Sequence, residues 1–374
     1  MLGPSVPRPR EFSMRSISST IARLAKLREA PRPDRVRASG RLRELRDFGS
    51  NPGALGAHYY VPPTVRQGAP LVVVMHGCTQ NAVDYDIGSG WSQLAEEQGF
   101  ALLFPEQRRT NNFNLCFNWY EPAHIRRGAG EPLSIAQMID AMATRHGIDR
   151  SRVFVNGLSA GGAMTSVMLA TYPELFAGGA IIAGLPFGSA ASVSQALDRM
   201  RGSGSPGDAL LAAAIAKASP HGGPWPTVSI WHGTSDHVVG IANADAILKQ
   251  WQAMHGVAAN PDHSDIIDGV PHRVWQDANG RVVIEEYRVP GMGHGTPLAT
   301  RGDTPCGQSG PHMLEVGISS TRRLATFWKL LDAEPRSRRA PLQADRGAEK
   351  LAEPAPSGVT KVIEDALRAA GLVR

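Results

Sequence analysis

RVFVNGLSAGGAM, residues 152–164, opens on a β-branched and aromatic run and continues as an apolar stretch with helical spacing. Between the two stands Gly157-Leu158-Ser159-Ala160-Gly161, a Gly-x-Ser-x-Gly pattern. A strand that turns this abruptly into a helix drives its middle residue into strained φ/ψ, and only glycine avoids a clash two positions before and after it. The hydroxyl is thereby lifted above the sheet edge at a helix N-terminus, where the dipole favours developing negative charge. The pattern alone recurs by chance in many proteins. A strand before it and a helix after it mark Ser159 as a nucleophile.

A serine hydroxyl is a weak nucleophile near neutral pH and needs a base in hydrogen-bond reach, itself oriented by a carboxylate. In the α/β-hydrolase fold these partners follow in the order Ser, acid, His. VSIWHGTSD, residues 228–236, places Asp236 just after a strand, at the same carboxyl edge of the sheet as Ser159. The competing role for Asp236 is to cap a helix beginning near Ile241. Asp245 falls inside that helical pattern and is expected to face solvent. The base is assigned to His294, in PGMGHGTP, a glycine-rich loop at residues 290–297 directly after a strand. His312, in GPHML, is expected at the start of the last helix in a capping or packing role. His76 and His232 each end a strand as His-Gly and are expected to shape loops around the site, with His76 also a candidate substrate contact.

A tetrahedral intermediate needs N–H donors for its oxyanion, each worth about 3 kcal/mol when removed from a site of this kind. One donor is the backbone N–H of Ala160, next to the nucleophile. The second belongs to the loop His76-Gly77-Cys78-Thr79-Gln80, with Cys78 N–H as the first choice and Gly77 as the next. Phe117 and Trp119 are candidates to line an acyl pocket, against the commoner role of core aromatics.

Around this centre, short apolar runs alternate with helical stretches, the pattern of a mostly parallel sheet covered by helices on both faces. Strands are predicted at residues 58–61, 71–75, 101–104, 152–155, 179–183, 228–231 and 282–289. Helices are predicted at 91–98, 134–146, 160–172, 241–254 and, closing the domain, 314–331. Residues 184–226, rich in Gly, Ser, Pro and Ala with a helical patch at 208–218, read as an insertion over the sheet edge of the kind that forms a lid or cleft wall. The predicted fold class is therefore an α/β-hydrolase domain over residues 54–333. It is preceded by a basic helix and linker at 1–53 and followed by a tail at 334–374 with a short helix at 360–370.

The formal charge of +5 is uneven. Residues 1–50 carry a net +7 and the tail from 334 a net +2, which leaves the segment between at −4. A groove that tracks phosphates needs a basic face, so the main domain is not read as binding nucleic acid. No apolar run approaches the roughly 18 residues of a membrane span. The first twenty residues lack an uninterrupted apolar signal segment and a twin-Arg pair ahead of one, which predicts an intracellular chain. Residues 16–29 form a basic amphipathic pattern, expected to pack on the domain, with an anionic surface as the alternative partner. Cys78, Cys116 and Cys306 lack zinc-site spacing. They read as isolated thiols, with one Cys78–Cys116 bridge as the alternative.

Taken together, His76-Gly77-Cys78-Thr79-Gln80, Cys116-Phe117-Asn118-Trp119, Gly157-Leu158-Ser159-Ala160-Gly161-Gly162, His232-Gly233 with Asp236, and Gly293-His294-Gly295 resemble the poly(3-hydroxybutyrate) depolymerase family of esterases. That family is in turn similar to feruloyl and acetylxylan esterases. The resemblance runs from about residue 55 to about residue 330. It implies an ester hydrolase acting through an acyl-enzyme on hydroxyalkanoate esters or polyester chains, with no metal or cofactor, and it offers an extracellular location as the alternative to an intracellular one. Many polymer-degrading relatives carry a separate polymer-binding domain, for which this chain shows no pattern.

Overall fold

The computed structural model describes residues 41–331, in which the alternating pattern becomes a ten-stranded sheet. Its strands are β1 (Arg43–Glu44), β2 (Gly56–Tyr60), β3 (Leu71–Met75), β4 (Ala101–Glu106), β5 (Val153–Leu158), β6 (Gly178–Ile182), β7 (Thr227–Gly233), β8 (His263–Ile267), β9 (Val270–Gln276) and β10 (Val282–Val289). Their order is β1-β2-β4-β3-β5-β6-β7-β10-β9-β8. The run from β4 to β10 is parallel, and both margins are antiparallel. β11 (Thr296–Leu298) and β12 (Met313–Glu315) form a separate parallel pair. This is the sheet of an α/β-hydrolase.

The central strands are buried on both faces, which is why they read as continuous apolar runs. In β3, Leu71, Val73 and Met75 enter one core cluster while Val72 and Val74 enter the cluster on the opposite face. The helices are α1 (Ala82–Ser89), α2 (Trp91–Gln98), α3 (Gly130–His146), α4 (Ala160–Thr171), α5 (Val193–Met200), α6 (Asp208–Ala218), α7 (Ala242–His255) and α8 (Ser320–Phe327). Every residue of α4 is buried, so this helix has no polar stripe and runs through the centre of the molecule.

The chain reaches β4 on one side of β3 and returns to β5 on the other, so the sheet order reverses between β3 and β5. Ligands gather at such switch points, outside the carboxyl ends of the strands. Pairing of Met75 with Gly157 places the loop after β3 beside the turn after β5. β7 and β10 pair in parallel with Gly233 opposite Val289, which delivers the loops after both strands to the same edge.

Several elements differ from the sequence expectation. Residues 41–53 are not merely a linker: β1 pairs with β2, Leu45 N–H donates to Ala57 O at 2.9 Å, and Leu45 lies in the core. The β8–β9 hairpin turns through Asp268 at φ 49° and Gly269 at φ 81°, the two positive values of a type I′ turn. The closing helix begins only at Ser320, because residues 313–315 pair as β12 and the Ser319 hydroxyl accepts from Arg322 N–H. His312 therefore precedes a strand and not a helix. The segment 184–226 contains α5 and α6, and α7 grips it through Gln250. Its side-chain oxygen accepts from Phe187 N–H at 3.1 Å, and its nitrogen donates to Phe187 O at 2.9 Å and Leu211 O at 2.8 Å. The expected helices at 16–29 and 360–370 lie outside the described residues. Among the described residues no helix is long and apolar enough to cross a membrane.

Cys78 and Cys116 are joined in a disulfide, which overturns the expectation of isolated thiols and leaves Cys306 as the buried free cysteine. A cross-link over 38 residues removes chain entropy from the unfolded state worth at most about 4 kcal/mol. Replacing both cysteines by serine is expected to lower unfolding stability by about 2–4 kcal/mol, read as a lower urea midpoint.

Candidate active site

The turn from β5 into α4 holds Ser159 at φ 57° and ψ −118°, a conformation that a residue with a Cβ adopts only under constraint. Its N–H is tied to Ile182 O at 2.9 Å on the neighbouring strand. Glycine on either side is a matter of space. A Cβ on Gly157 would meet the Gly161 carbonyl at 2.4 Å, and one on Gly161 would meet Met75 O at 2.4 Å. The backbones of β3, β5 and α4 are thus in direct contact, and the Ser159 side chain is the group left at the surface of the junction, 8% exposed.

Asp236 stands in the loop after β7 with its side chain fully enclosed. One oxygen accepts from Val238 N–H at 2.9 Å and Val239 N–H at 2.8 Å; the other accepts from His294 Nδ1 at 2.7 Å. Burial alone would raise its pKa, but the His294 hydrogen bond and charge together with the two backbone donors outweigh it and hold the carboxyl below the ordinary aspartate value. An ionised carboxylate only accepts, so the hydrogen sits on Nδ1 and Nε2 remains as the free ring nitrogen of His294. Helix capping does not compete for Asp236, because the cap of α7 is Ile241 without a side-chain bond. Asp245 pairs instead with Arg288 at 2.5 Å on a half-exposed face.

Two further histidines brace this pair. His232 is buried beneath Asp236, with Nε2 at 2.7 Å from Val239 O and 3.6 Å from Asp236 Oδ2, and burial lowers its pKa below the ordinary histidine value. His312 Nδ1 lies 3.0 Å from His294 O and fixes the loop that carries the base. Ser159 is brought to the same edge of the sheet as the Asp236–His294 pair. Among the described residues its hydroxyl makes no hydrogen bond, which leaves it available to a reacting group.

The loop after β3 discriminates between the two oxyanion candidates. Gly77 N–H is already committed to Gln80 Oε1 at 2.8 Å, whereas among the described residues Cys78 N–H has no partner. Ala160 begins α4, and Ser159 makes no side-chain cap bond, so the first N–H of that helix is also open. His76 is corrected from substrate contact to support. It is 1% exposed, its Nε2 accepts from Gln107 N–H at 3.1 Å, and its Nδ1 therefore donates to Gly77 O at 2.8 Å, so no ring nitrogen is left for a ligand. Trp119 is 6% exposed and packs in the core, edge-on to Tyr120 at 5.4 Å. Sequence reasoning missed Gln107, Asn112 and Glu131, which tie this loop down from below; the only signal near them was the motif around Asn118. Among the described residues no group of three or more His, Cys, Asp or Glu is gathered to hold a metal ion.

Residues 55–262 match the family model described as esterase PHB depolymerase. The chain is 44% identical over 321 residues to poly(3-hydroxyalkanoate) depolymerase C of Paucimonas lemoignei, covering 84% of this chain and 76% of that protein. It is 33% identical over 267 residues to a probable acetylxylan esterase A of Neosartorya fischeri, covering 70% and 72%. Among solved structures, the acetyl xylan esterase from Aspergillus awamori superposes with a TM-score of 0.66 at 25% identity, covering 78% of this chain and all of that one. With the family model spanning more than half of the chain and a relative this similar over most of its length, the chain belongs to the esterase PHB depolymerase family.

Proposed function

We propose that this chain cleaves carboxylic esters through an acyl-enzyme on Ser159, with poly(3-hydroxyalkanoate) or its oligomers as the substrate class. The observation that carries the reading is the Asp236–His294 bond of 2.7 Å at the sheet edge to which the strained Ser159 turn is also delivered. His294 Nε2 takes the Ser159 proton as Oγ attacks the ester carbonyl carbon. Cys78 N–H and Ala160 N–H stabilise the oxyanion that forms. His294 then gives the proton to the leaving alkoxide, and a water repeats the sequence to release the acid. Asp236 stays ionised throughout and holds the imidazole in the tautomer that accepts at Nε2.

The substrate class rests on the 44% identity with a protein named for poly(3-hydroxyalkanoate) cleavage. A second reading, acetyl or feruloyl esters on polysaccharide, is favoured by the acetylxylan esterase relatives. The Cys78–Cys116 bridge favours an extracytoplasmic location over the intracellular expectation, because the cytosol keeps thiols reduced. Blotting cells and medium separately for the protein checks the compartment.

Ser159→Ala is expected to fold normally, by circular dichroism and melting temperature, yet to lose at least about a thousandfold in rate on nitrophenyl butyrate. Retention of near wild-type rates would end the assignment. Asp236→Asn is expected to lose on the order of 10⁴-fold in kcat, while Asp245→Asn changes it little; equal losses would make the wrong carboxylate the acid. Side-by-side rates on amorphous polyhydroxybutyrate, a feruloyl ester and an acetylated xylan should rank the polyester first, and a higher rate on either sugar ester would reverse the substrate order.

A further inference from the structure

The carboxyl group of Glu131 is wholly enclosed beneath the Cys78 loop and takes no part in the proton transfers above. It stands in the first turn of α3, where the helix dipole favours negative charge. Oε1 accepts from Gln107 Nε2 at 2.7 Å and from Asn118 Nδ2 at 2.8 Å, and Oε2 accepts from Asn118 N–H at 3.0 Å. Among the described residues no Arg or Lys pairs with it; the nearest basic group is His124, with Nδ1 at 3.8 Å. Burial pushes its carboxyl up to about 8 against the pull of the Asn118 and Gln107 donors, so near neutral pH the group holds its partners by accepting hydrogen bonds and not by net charge.

Two routes lead outward from this carboxyl group to one peptide, through Gln107 and through Asn118. Through Gln107, whose N–H donates to His76 Nε2, it steadies the imidazole that holds Gly77 O, the carbonyl directly before Cys78 N–H. Through Asn118, whose Oδ1 accepts from Asn112 Nδ2, it steadies the Asn112 oxygen that receives Cys116 N–H and Asn114 N–H. Cys116 is bonded to Cys78, and Asn114 O accepts from Thr79 N–H at 2.7 Å. Cys78 is therefore held before its own nitrogen, at its side chain and just after its carbonyl. All three restraints connect to Glu131 through Gln107 or Asn118.

We propose that Glu131 is a positioning residue for the oxyanion hole, which aims Cys78 N–H by anchoring Gln107 and Asn118. The proposal rests on the Ser159 acyl-enzyme reading. An amide at position 131 turns a donor toward one of three N–H groups that need an acceptor, and the loop shifts. The oxyanion exists only after attack, so the loss belongs to the transition state and not to substrate binding.

Glu131→Gln is expected to lower kcat on nitrophenyl butyrate by about 10- to 100-fold, with KM within about threefold of wild type. The affinity for butylboronic acid, which forms a tetrahedral anion on the serine, should fall by the same factor as kcat/KM. Asn118→Ala, which removes one of the three donors, should show a smaller loss of the same kind and decides the matter if Glu131→Gln does not fold. Glu286→Gln is the control for burial alone: this carboxylate is enclosed between Arg273 and Arg288, and its variant should lower the melting temperature without lowering kcat. A wild-type kcat in Glu131→Gln, or a kcat loss matched by Glu286→Gln at equal melting temperature, overturns the proposal. Activity surviving in Ser159→Ala would instead overturn the reading beneath it.

Discussion

The positive φ of Ser159 is the constraint around which the rest of the molecule is arranged. A side chain held there costs roughly 1–3 kcal/mol of backbone strain, so the surroundings must enforce it. Enforcement comes from three backbones in contact: β3, β5 and the start of α4 approach so closely at Gly157 and Gly161 that a methyl group would strike a carbonyl at 2.4 Å. The same contact explains why all of α4 is buried and why its first turn is built of Ala and Gly. That first turn has no room for a larger residue at Gly161 and Gly162, and the helix has no solvent face to present. The strain is thereby borne by the core, and among the described residues the hydroxyl stands at the edge without a hydrogen-bond partner.

On either side of that turn the structure holds its polar groups in a fixed geometry before any substrate arrives. Asp236 has its two oxygens engaged by two backbone N–H groups and one imidazole, with His232 beneath it. The Cys78 peptide is restrained by His76, by the bridge to Cys116 and by Asn114. Donors and acceptors of this kind stabilise developing charge because they need not reorganise as it appears. The two supports differ in chemistry. The acid side relies on short-range contacts within one loop and its neighbour, whereas the oxyanion side depends on a buried carboxylate three steps removed from the reacting atoms.

Family membership and geometry bear on different questions. The relatives share an ester-cleaving vocabulary that runs from polyester to acetylated sugar. The residues proposed for proton transfer do not distinguish those substrates, because an ester carbonyl presents the same atoms in each.

The placement of Ser159, Asp236 and His294 at one sheet edge was legible in the sequence because each follows a strand whose β-branched composition and flanking glycines are local signals. The parallel sheet was legible for the same reason, since strands buried on both faces read as unbroken apolar runs. The β8–β9 hairpin was also written locally, in Asp268-Gly269, but the exposed strand β8 lacks the apolar weight that drew attention elsewhere. His312 was misplaced because a short strand paired only with distant residues 296–298 has no periodicity of its own. Glu131 and Gln107 were not legible at all, and the Cys78–Cys116 bridge stood only as the alternative to isolated thiols. Nothing in the residues around Glu131 separates a buried carboxylate from an ordinary helix-capping one, and two cysteines 38 positions apart form a bridge only if the fold brings them together. The sequence by itself determined the elements and the chemistry each can carry, because those follow from nearest neighbours along the chain. Which groups meet, and which are shut away from water, was decided by tertiary packing, because burial and hydrogen-bond partnership are properties of position in space.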